Sequence, residues 1–186
     1  MRSDQLLVVC RANHTRSPLV ASLLRQNVPG LVVGSAGTHA LPARSGADPQ
    51  LVEVVRRRGI DAVARDLRDH RPRAVKRRLL GAADLILTAT RDIRGQMGIV
   101  APGTDSLSFT IHEAVELVTS FGATPIGGRP LREIAVEWGV IRRDRWSQIQ
   151  ARDLHDPTGG PVEEYEELVD TALEAVATMA VGQVAR

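Results

Sequence analysis

Short apolar runs alternate along the chain with segments whose apolar residues recur at helical spacing. The runs have the length of strands and lie at residues 5–9, 31–33, 84–88 and 106–109. Continuous apolar runs of this length are typical of strands covered on both faces. Their alternation with helices predicts an α/β fold, a three-layer doubly wound sheet of four parallel strands with right-handed crossovers and helices on both faces.

Polar residues next to prolines mark two helix starts. Ser17-Pro18 and Asp48-Pro49 each place a capping side chain before a proline, which predicts Ser17 and Asp48 as N-caps. Gly59 stands where the second of these helices should end. Three further helices are predicted: one from Pro72 to Leu80, one after Thr90 and one over residues 111–118.

The pattern weakens into Gly, Pro and Arg between Ser120 and Asp156, with one short helix predicted over residues 130–138. From Pro161 onward the chain predicts a long amphipathic helix with acidic residues in its first turn. The size of the chain is that of one domain. We therefore expect a single domain over residues 1–186, with an irregular insertion around residues 120–153.

Composition excludes few partners. The 186 residues carry a net charge of only +2, and 43% of them are hydrophobic, as in ordinary globular proteins. The basic run from Arg65 to Arg78 contains no aromatic residue for a base to stack on, so we interpret it as a solvated helix face and loop rather than a nucleic-acid site. The first apolar run is too short for a signal-peptide core or a membrane span. The expectation is a cytoplasmic protein without membrane insertion, monomeric by default.

Cys10 is the only cysteine in the sequence, so it is either a buried packing residue or a free reactive thiol. It follows the first predicted strand, and Arg16 stands six positions later at the start of a helix. Loop amides and a helix N-terminus at this place favour a bound oxyanion, and Arg16 offers a planar fork to two of its oxygens. The same positive field favours the thiolate of Cys10. The combination predicts a nucleophile in an anion-binding loop.

These residues resemble the low-molecular-weight protein tyrosine phosphatase family. The family's loop has the form Cys, five residues, Arg, Ser, with Asn third between Cys and Arg and Pro after Ser, and this chain has Cys10, Asn13, Arg16, Ser17 and Pro18. Further matches follow in order along the chain: residues 35–38 (SAGT), 48–49 (DP), 59–61 (GID), 84–88 (DLILT), 101–102 (AP) and 156–157 (DP). The resemblance covers nearly the whole length, apart from residues 120–153.

The resemblance implies roles for individual residues. Cys10 would be the nucleophile, Arg16 would stabilise the phosphate oxygens, and Asp156 would be the general acid, with Asp153 a competitor three residues away. The phosphate-binding and supporting residues would be Arg11, Ala12, Asn13, His14, Thr15 and Ser17. The substrate would be a phosphorylated protein. No metal and no cofactor would be required, because guanidinium and amides already neutralise the phosphate.

Several residues differ from the family pattern. Ala12 replaces a glycine, which predicts unusual backbone angles at a residue with a Cβ. Thr15 replaces a second cysteine, so no disulfide protects Cys10. Arg65 stands where we align the histidine that supports Asn13. The other histidines outside the loop lack metal-ligand spacing and are assigned structural roles: His39, His70, His112 and His155.

The wall of the substrate slot also differs. Thr158 replaces the aromatic residue that commonly follows Asp-Pro in the family. Trp138, Trp146 and Tyr165 are therefore candidates for another wall, although core or interface packing explains each more readily. His14 occupies the position that overhangs the pocket mouth in the family and would tune which phospho-amino acid enters.

Phosphotyrosine is the leading substrate class, and three alternatives stay open. The first is a protein-arginine phosphatase of the same fold. The Asp-Pro-x-Gly-Gly pattern at residues 156–160 resembles that class, which would need less of an aromatic wall around its substrate. An arsenate reductase needs additional cysteines or an external thiol. A phospho-binding regulator without catalysis is suggested by Ala12 and Arg65.

Overall fold

Four parallel strands form the centre of the molecule in a computed structural model, which describes residues 3–40, 45–150 and 152–180. They are β1 (Gln5–Cys10), β2 (Val32–Gly37), β3 (Leu85–Thr88) and β4 (Ser108–Thr110). The strand order is β2-β1-β3-β4, and every pair is parallel. This confirms the doubly wound sheet.

The helices lie on both faces of this sheet. They are α1 (Arg16–Asn27), α2 (Pro49–Arg57), α3 (Asp61–Asp69), α4 (Arg77–Ala82), α5 (Arg91–Val100), α6 (Ile111–Phe121), α7 (Leu131–Asp144) and α8 (Val162–Met179), with short 3-10 turns at Asp105–Leu107 and Trp146–Gln148. The connections from β1 to β2 and from β3 to β4 run in opposite directions across the sheet. Because parallel crossovers are right-handed, α1 and α5 cover opposite faces. Helix α8 packs against α1 and α6.

Local sequence signals hold at two of the three predicted helix boundaries. Asp48 caps α2 by accepting a hydrogen bond of 2.9 Å from the Gln50 amide, and Gly59 takes a left-handed φ of 73° after α2 ends. The prediction that Ser17 is the N-cap of α1 is wrong. Helix α1 begins at Arg16, and the Ser17 hydroxyl bonds the Cys10 thiol instead of a helix amide.

The segment between α3 and α4 is extended rather than helical. The helix predicted from Pro72 to Leu80 begins only at Arg77, and α3 is a separate helix before it. The reason is a pairing with the end of β2: the Gly37 amide donates to the Arg73 carbonyl at 2.9 Å, and the Val75 amide donates to the Gly37 carbonyl at 2.8 Å. The basic run from Arg65 to Arg78 therefore includes an exposed helix face, as predicted, but part of its loop is attached to the sheet.

The irregular insertion predicted around residues 120–153 contains the 14-residue helix α7. Its buried residues, Leu131, Ile134, Ala135 and Trp138, follow helical spacing and join the same core as the sheet. The Trp138 ring meets the Phe109 ring of β4 edge-on, with 5.3 Å between centroids. Aromatic pairs in this geometry add about 1 kcal/mol to the area they bury. The helix predicted over residues 130–138 is therefore present but longer, and the surrounding Gly and Arg residues hide its length in the sequence.

No helix in the described ranges is both long enough and apolar enough to cross a membrane.

Gly37, the last residue of β2, lies against the loop that follows β1. A Cβ there would stand 2.6 Å from the Arg11 carbonyl oxygen and 2.7 Å from the Asn13 amide nitrogen. We expect Gly37→Ala to lower the free energy of unfolding by about 1–3 kcal/mol, as overpacking does, measured by urea denaturation. Gly81→Ala, whose Cβ would meet no atom within 4 Å, is the matched control. Equal stability of Gly37→Ala and wild type would contradict the close packing of this loop.

Candidate active site

The loop at residues 11–15 joins β1 to α1 at the carboxyl end of the sheet. It lies at the point where the strand order reverses, the usual position of a ligand in doubly wound folds. The loop turns on Asn13, whose φ is 53°, the one positive φ of a non-glycine residue among those described. Asparagine adopts this conformation more readily than most residues. The prediction of unusual backbone angles at Ala12 is therefore wrong: the left-handed residue of the loop is Asn13, and Ala12 has no positive φ.

The Asn13 side chain holds the loop to three other segments. Its Nδ2 donates to the Ser17 hydroxyl of α1 at 3.0 Å and to the Ser35 hydroxyl of β2 at 2.9 Å. Its Oδ1 accepts from the Arg73 amide at 2.9 Å. Asn13, Ser17 and Ser35 are buried, and a buried amide that loses its partners costs about 1–3 kcal/mol. This network therefore fixes the loop strongly.

His70 supports the same residue from outside the loop. Its Nε2 lies 2.8 Å from the Asn13 carbonyl oxygen. Burial lowers the pKa of His70, with smaller contributions from nearby cationic side chains, and the hydrogen bond to Asn13 opposes this shift. The assignment of Arg65 to the position of the supporting histidine is wrong, because Arg65 is exposed on α3 and His70 makes the contact. The extended segment after α3 brings His70 to the loop, a long-range placement that helical periodicity does not reveal.

The Cys10 thiol lies at the centre of the loop and is 2% exposed. The Ser17 hydroxyl is 3.0 Å from Sγ, and the Asn13 amide donates to Sγ at 3.2 Å. In the described part of the chain, the amides of Arg11, Ala12 and Thr15 donate to no protein acceptor. One loop amide therefore contacts the sulfur, and three more have no acceptor in the described protein, which fits an oxyanion bound next to a thiolate.

Arg16 places a buried guanidinium beside this loop. Its Nη1 donates to the Leu154 carbonyl at 3.0 Å, and its Nη2 donates to Asp156 Oδ2 at 2.5 Å. Its Nε is buried without a hydrogen-bond partner among the described residues. Buried polar groups are nearly always satisfied. The donor set of Arg16 and the loop amides therefore fits a tetrahedral oxyanion.

Two aspartates that the sequence leaves in competition are separated by the structure. Asp156 pairs with Arg16 and accepts from the Thr158 hydroxyl at 2.8 Å. Asp153 accepts from the Arg91 amide at 2.9 Å at the start of α5. Of these two carboxylates, only Asp156 therefore contacts Arg16.

A cavity of about 260 Å³ opens beside Arg16 and Asp156. Its lining consists of Arg11, Arg16, Thr38, His39, Thr90, Asp92, Ile93, Gln96 and Asp156. No phenylalanine, tyrosine or tryptophan of the described chain belongs to this lining. His14 does not overhang the mouth as expected, because it is 8% exposed and its Nδ1 lies 3.8 Å from Asp48 Oδ2.

The three candidate wall residues lie elsewhere. Trp138 is buried in the core, and Trp146 is 64% exposed beside a different cavity that Arg91 and Arg94 line. Tyr165 is buried, and burial raises its pKa, so its hydroxyl stays protonated and donates to Asp48 at 3.2 Å. The Gly159 amide donates to the same oxygen at 3.4 Å. Through its bond with Gly159, Tyr165 thus supports the loop that carries Asp156.

Comparisons with known proteins identify the family of this chain. The family model described as low molecular weight phosphotyrosine protein phosphatase matches residues 5–115, which include the loop but not Asp156. A probable low molecular weight protein-tyrosine-phosphatase, EpsP of Ralstonia nicotianae, is 45% identical over 82 residues, covering 44% of this chain and 52% of the relative. Etp of Escherichia coli K12, named a low molecular weight protein-tyrosine-phosphatase, is 32% identical over 102 residues, covering 55% and 65%. The chain thus spans about half to two thirds of the length of these relatives.

Solved structures share the fold over almost the whole chain. The low molecular weight protein tyrosine phosphatase from T. tengcongensis has a TM-score of 0.70 at 23% identity, with 95% of this chain and 97% of that chain covered. The YwlE arginine phosphatase from Geobacillus stearothermophilus has a TM-score of 0.66 at 24% identity, with 94% and 89% covered. At these identities the likeness concerns the fold alone.

The lowered pKa of His70 predicts a pH-dependent contribution to stability. The unfolded chain binds a proton at His70 more readily than the folded protein, so stability falls as pH drops below the ordinary value of 6.5. The contribution is complete above that pH and is lost as pH falls through the lower pKa of the folded state. We expect His70→Gln, which keeps a donor for Asn13 but does not titrate, to lose less stability than wild type between pH 7.5 and 5.5. Urea denaturation at each pH measures this, and parallel curves would contradict it.

Proposed function

The chain belongs to the low molecular weight phosphotyrosine protein phosphatase family, and from this premise we propose that it hydrolyses phosphotyrosine in proteins through a cysteinyl-phosphate intermediate. One observation supports this most directly: Cys10 accepts a hydrogen bond from a loop amide, Arg16 lies beside this loop, and Arg16 is hydrogen-bonded to Asp156. These are the nucleophile, the oxyanion donors and the proton carrier that such a reaction needs.

In the first step the Cys10 thiolate attacks phosphorus in line with the leaving oxygen. The sulfur–phosphorus bond forms while the bond from phosphorus to the tyrosyl oxygen breaks. Arg16 and the loop amides bind the three equatorial oxygens, where charge is spread in the transition state. Asp156 gives its proton to the leaving oxygen, so that a neutral phenol departs.

In the second step a water molecule attacks the phosphorus of the cysteinyl-phosphate. Asp156, now a carboxylate, takes a proton from that water, and the sulfur–phosphorus bond breaks. Inorganic phosphate leaves and the Cys10 thiolate is restored. The Ser17 hydroxyl, 3.0 Å from Sγ, stabilises this thiolate as leaving group. No step uses a metal ion, because Arg16 and the amides supply the positive charge. A reducing compartment such as the cytoplasm suits an enzyme whose single thiol must stay reduced.

A second candidate function is hydrolysis of phosphoarginine in proteins. The observation that favours it is the cavity lining, which holds the carboxylate of Asp92 and, among the described residues, no aromatic ring. A guanidinium leaving group would find a hydrogen-bonding partner in Asp92, whereas a phenol ring would find no stacking partner. The two departures that suggested a non-catalytic regulator carry less weight, because Asn13 takes the left-handed position and His70 supplies the imidazole.

Turnover of a generic aryl phosphate tests the proposed reaction. Wild type should release phosphate from p-nitrophenyl phosphate, and Cys10→Ser should reduce turnover to background because it removes the thiolate. The variant should still be stabilised against heat by inorganic phosphate, since the oxyanion donors remain. Turnover by Cys10→Ser at the wild-type rate would exclude the cysteinyl-phosphate.

Parallel assays on phosphotyrosine and phosphoarginine peptides of the same flanking sequence separate the two substrate classes. We expect the higher kcat/KM on phosphotyrosine; a higher value on phosphoarginine would favour the second candidate. In that case Asp92→Asn should lower phosphoarginine turnover by about tenfold, the effect of losing one charge-assisted hydrogen bond. Asp144→Asn, an exposed carboxylate on α7 outside the cavity lining, should leave both activities unchanged.

A further inference from the structure

We propose that Thr158 is a positioning residue that fixes the orientation of the Asp156 carboxylate, and that Thr15 connects Thr158 to the phosphate-binding loop. The proposal rests on the proposed phosphatase function, in which Asp156 carries the proton. It concerns the two positions at which this chain has a threonine in place of the residue its family resemblance implies.

The contacts form one continuous hydrogen-bonded chain. The Thr15 and Thr158 hydroxyl oxygens are 3.1 Å apart, although 143 positions separate them in the sequence. The Thr158 hydroxyl donates to Asp156 Oδ1 at 2.8 Å, and the Thr158 amide reaches the same oxygen at 3.3 Å. Because the hydroxyl hydrogen of Thr158 is used on Asp156, its oxygen accepts from Thr15. The direction of every bond in the chain is therefore determined.

A contact to Asp156 Oδ1 matters because the Arg16 guanidinium holds only Oδ2. The Asp156 side chain is 38% exposed, and it lies on a loop without regular structure after Leu154. Leu154 is anchored, since its amide donates to the Ala89 carbonyl at 2.8 Å and its carbonyl accepts from Arg16. Thr15 is likewise fixed, at 3% exposure. The hydroxyl pair thus ties the partly exposed Asp156 carboxylate to a buried point of the loop.

The two oxygens of Asp156 have different partners, and this assigns the reacting one. Oδ1 accepts from Thr158, whereas Oδ2 accepts from Arg16. When a phosphate dianion binds, its oxygens compete for the Arg16 guanidinium and release Oδ2. Thr158 keeps Oδ1 in place, so Oδ2 is left to carry the proton and faces the leaving group. A misplacement of about 1 Å in such a group is enough to slow a reaction strongly.

The experiment compares kcat/KM for aryl phosphates whose leaving groups differ in basicity. This constant covers formation of the cysteinyl-phosphate, the step in which Asp156 donates its proton. Thr158→Val removes the hydroxyl at nearly constant volume and should lower kcat/KM about tenfold for phenyl phosphate, as expected for one lost hydrogen bond to a charged group. For 2,4-dinitrophenyl phosphate, whose leaving group needs no proton, the loss should be less than twofold. Thr15→Val should show the same pattern more weakly.

Three variants separate positioning from loop damage. Thr158→Ser restores the hydroxyl and should recover most of the activity on phenyl phosphate. In an Asp156→Ala background, Thr158→Val should have no further effect, because the group it orients is gone. Thr119→Val, which removes an exposed hydroxyl on α6, should match wild type.

Several results would overturn the proposal. Equal losses on both aryl phosphates, full activity of Thr158→Val, or an additional loss in the Asp156→Ala background would each exclude a role in orienting the acid. A thermal denaturation curve for each variant shows whether a uniform loss comes from unfolding. A wild-type protein inactive on both aryl phosphates would overturn the phosphatase function itself, whereas an active wild type with an unaffected Thr158→Val would overturn only the positioning role.

Discussion

The left-handed backbone of Asn13 is the constraint on which the site depends. A chain that leaves β1 and enters α1 within five residues must reverse sharply, and Asn13, with its φ of 53°, makes that reversal. The reversal buries the Asn13 amide, and a buried amide requires partners. Those partners are Ser17, Ser35 and Arg73, which come from three different parts of the chain. The conformation of one residue therefore gathers β2, α1 and the segment after α3 around the Cys10 thiol.

Burial of Arg16 is a second constraint, and it explains where the acid loop lies. A guanidinium that is 5% exposed is costly unless its donors are used. Two of them are used by Leu154 and Asp156, from the far end of the sequence. The loop amides and the free Nε then remain for the oxygens of a substrate. The burial of Arg16 thus requires contacts from the loop that carries Leu154 and Asp156. It leaves the Nε of Arg16 available to a bound anion.

The sequence predicts the sheet and the catalytic loop because both are local. Strands buried on both faces show as apolar runs, and Cys10, Arg16 and the following helix lie within a short stretch. His70 and Thr158 could not be assigned in the same way. Their contacts with Asn13 and Thr15 span 57 and 143 positions, and neither segment has a periodic pattern. Helix α7 had a signal in its spaced apolar residues, but the adjoining Gly and Arg concealed its length.

The resting pair of Arg16 and Asp156 has a consequence for the order of events. The Arg16 guanidinium and the Thr158 amide and hydroxyl all donate to the Asp156 carboxylate, which in the proposed second step takes a proton from water. In the proposed first step Asp156 donates a proton to the leaving oxygen. A phosphate that binds Arg16 would take the Nη2 donor away from Asp156 Oδ2. After the leaving group departs, the deprotonated carboxylate stands at the place where the attacking water must arrive. Partner exchange at one buried arginine would thus couple the two proposed steps.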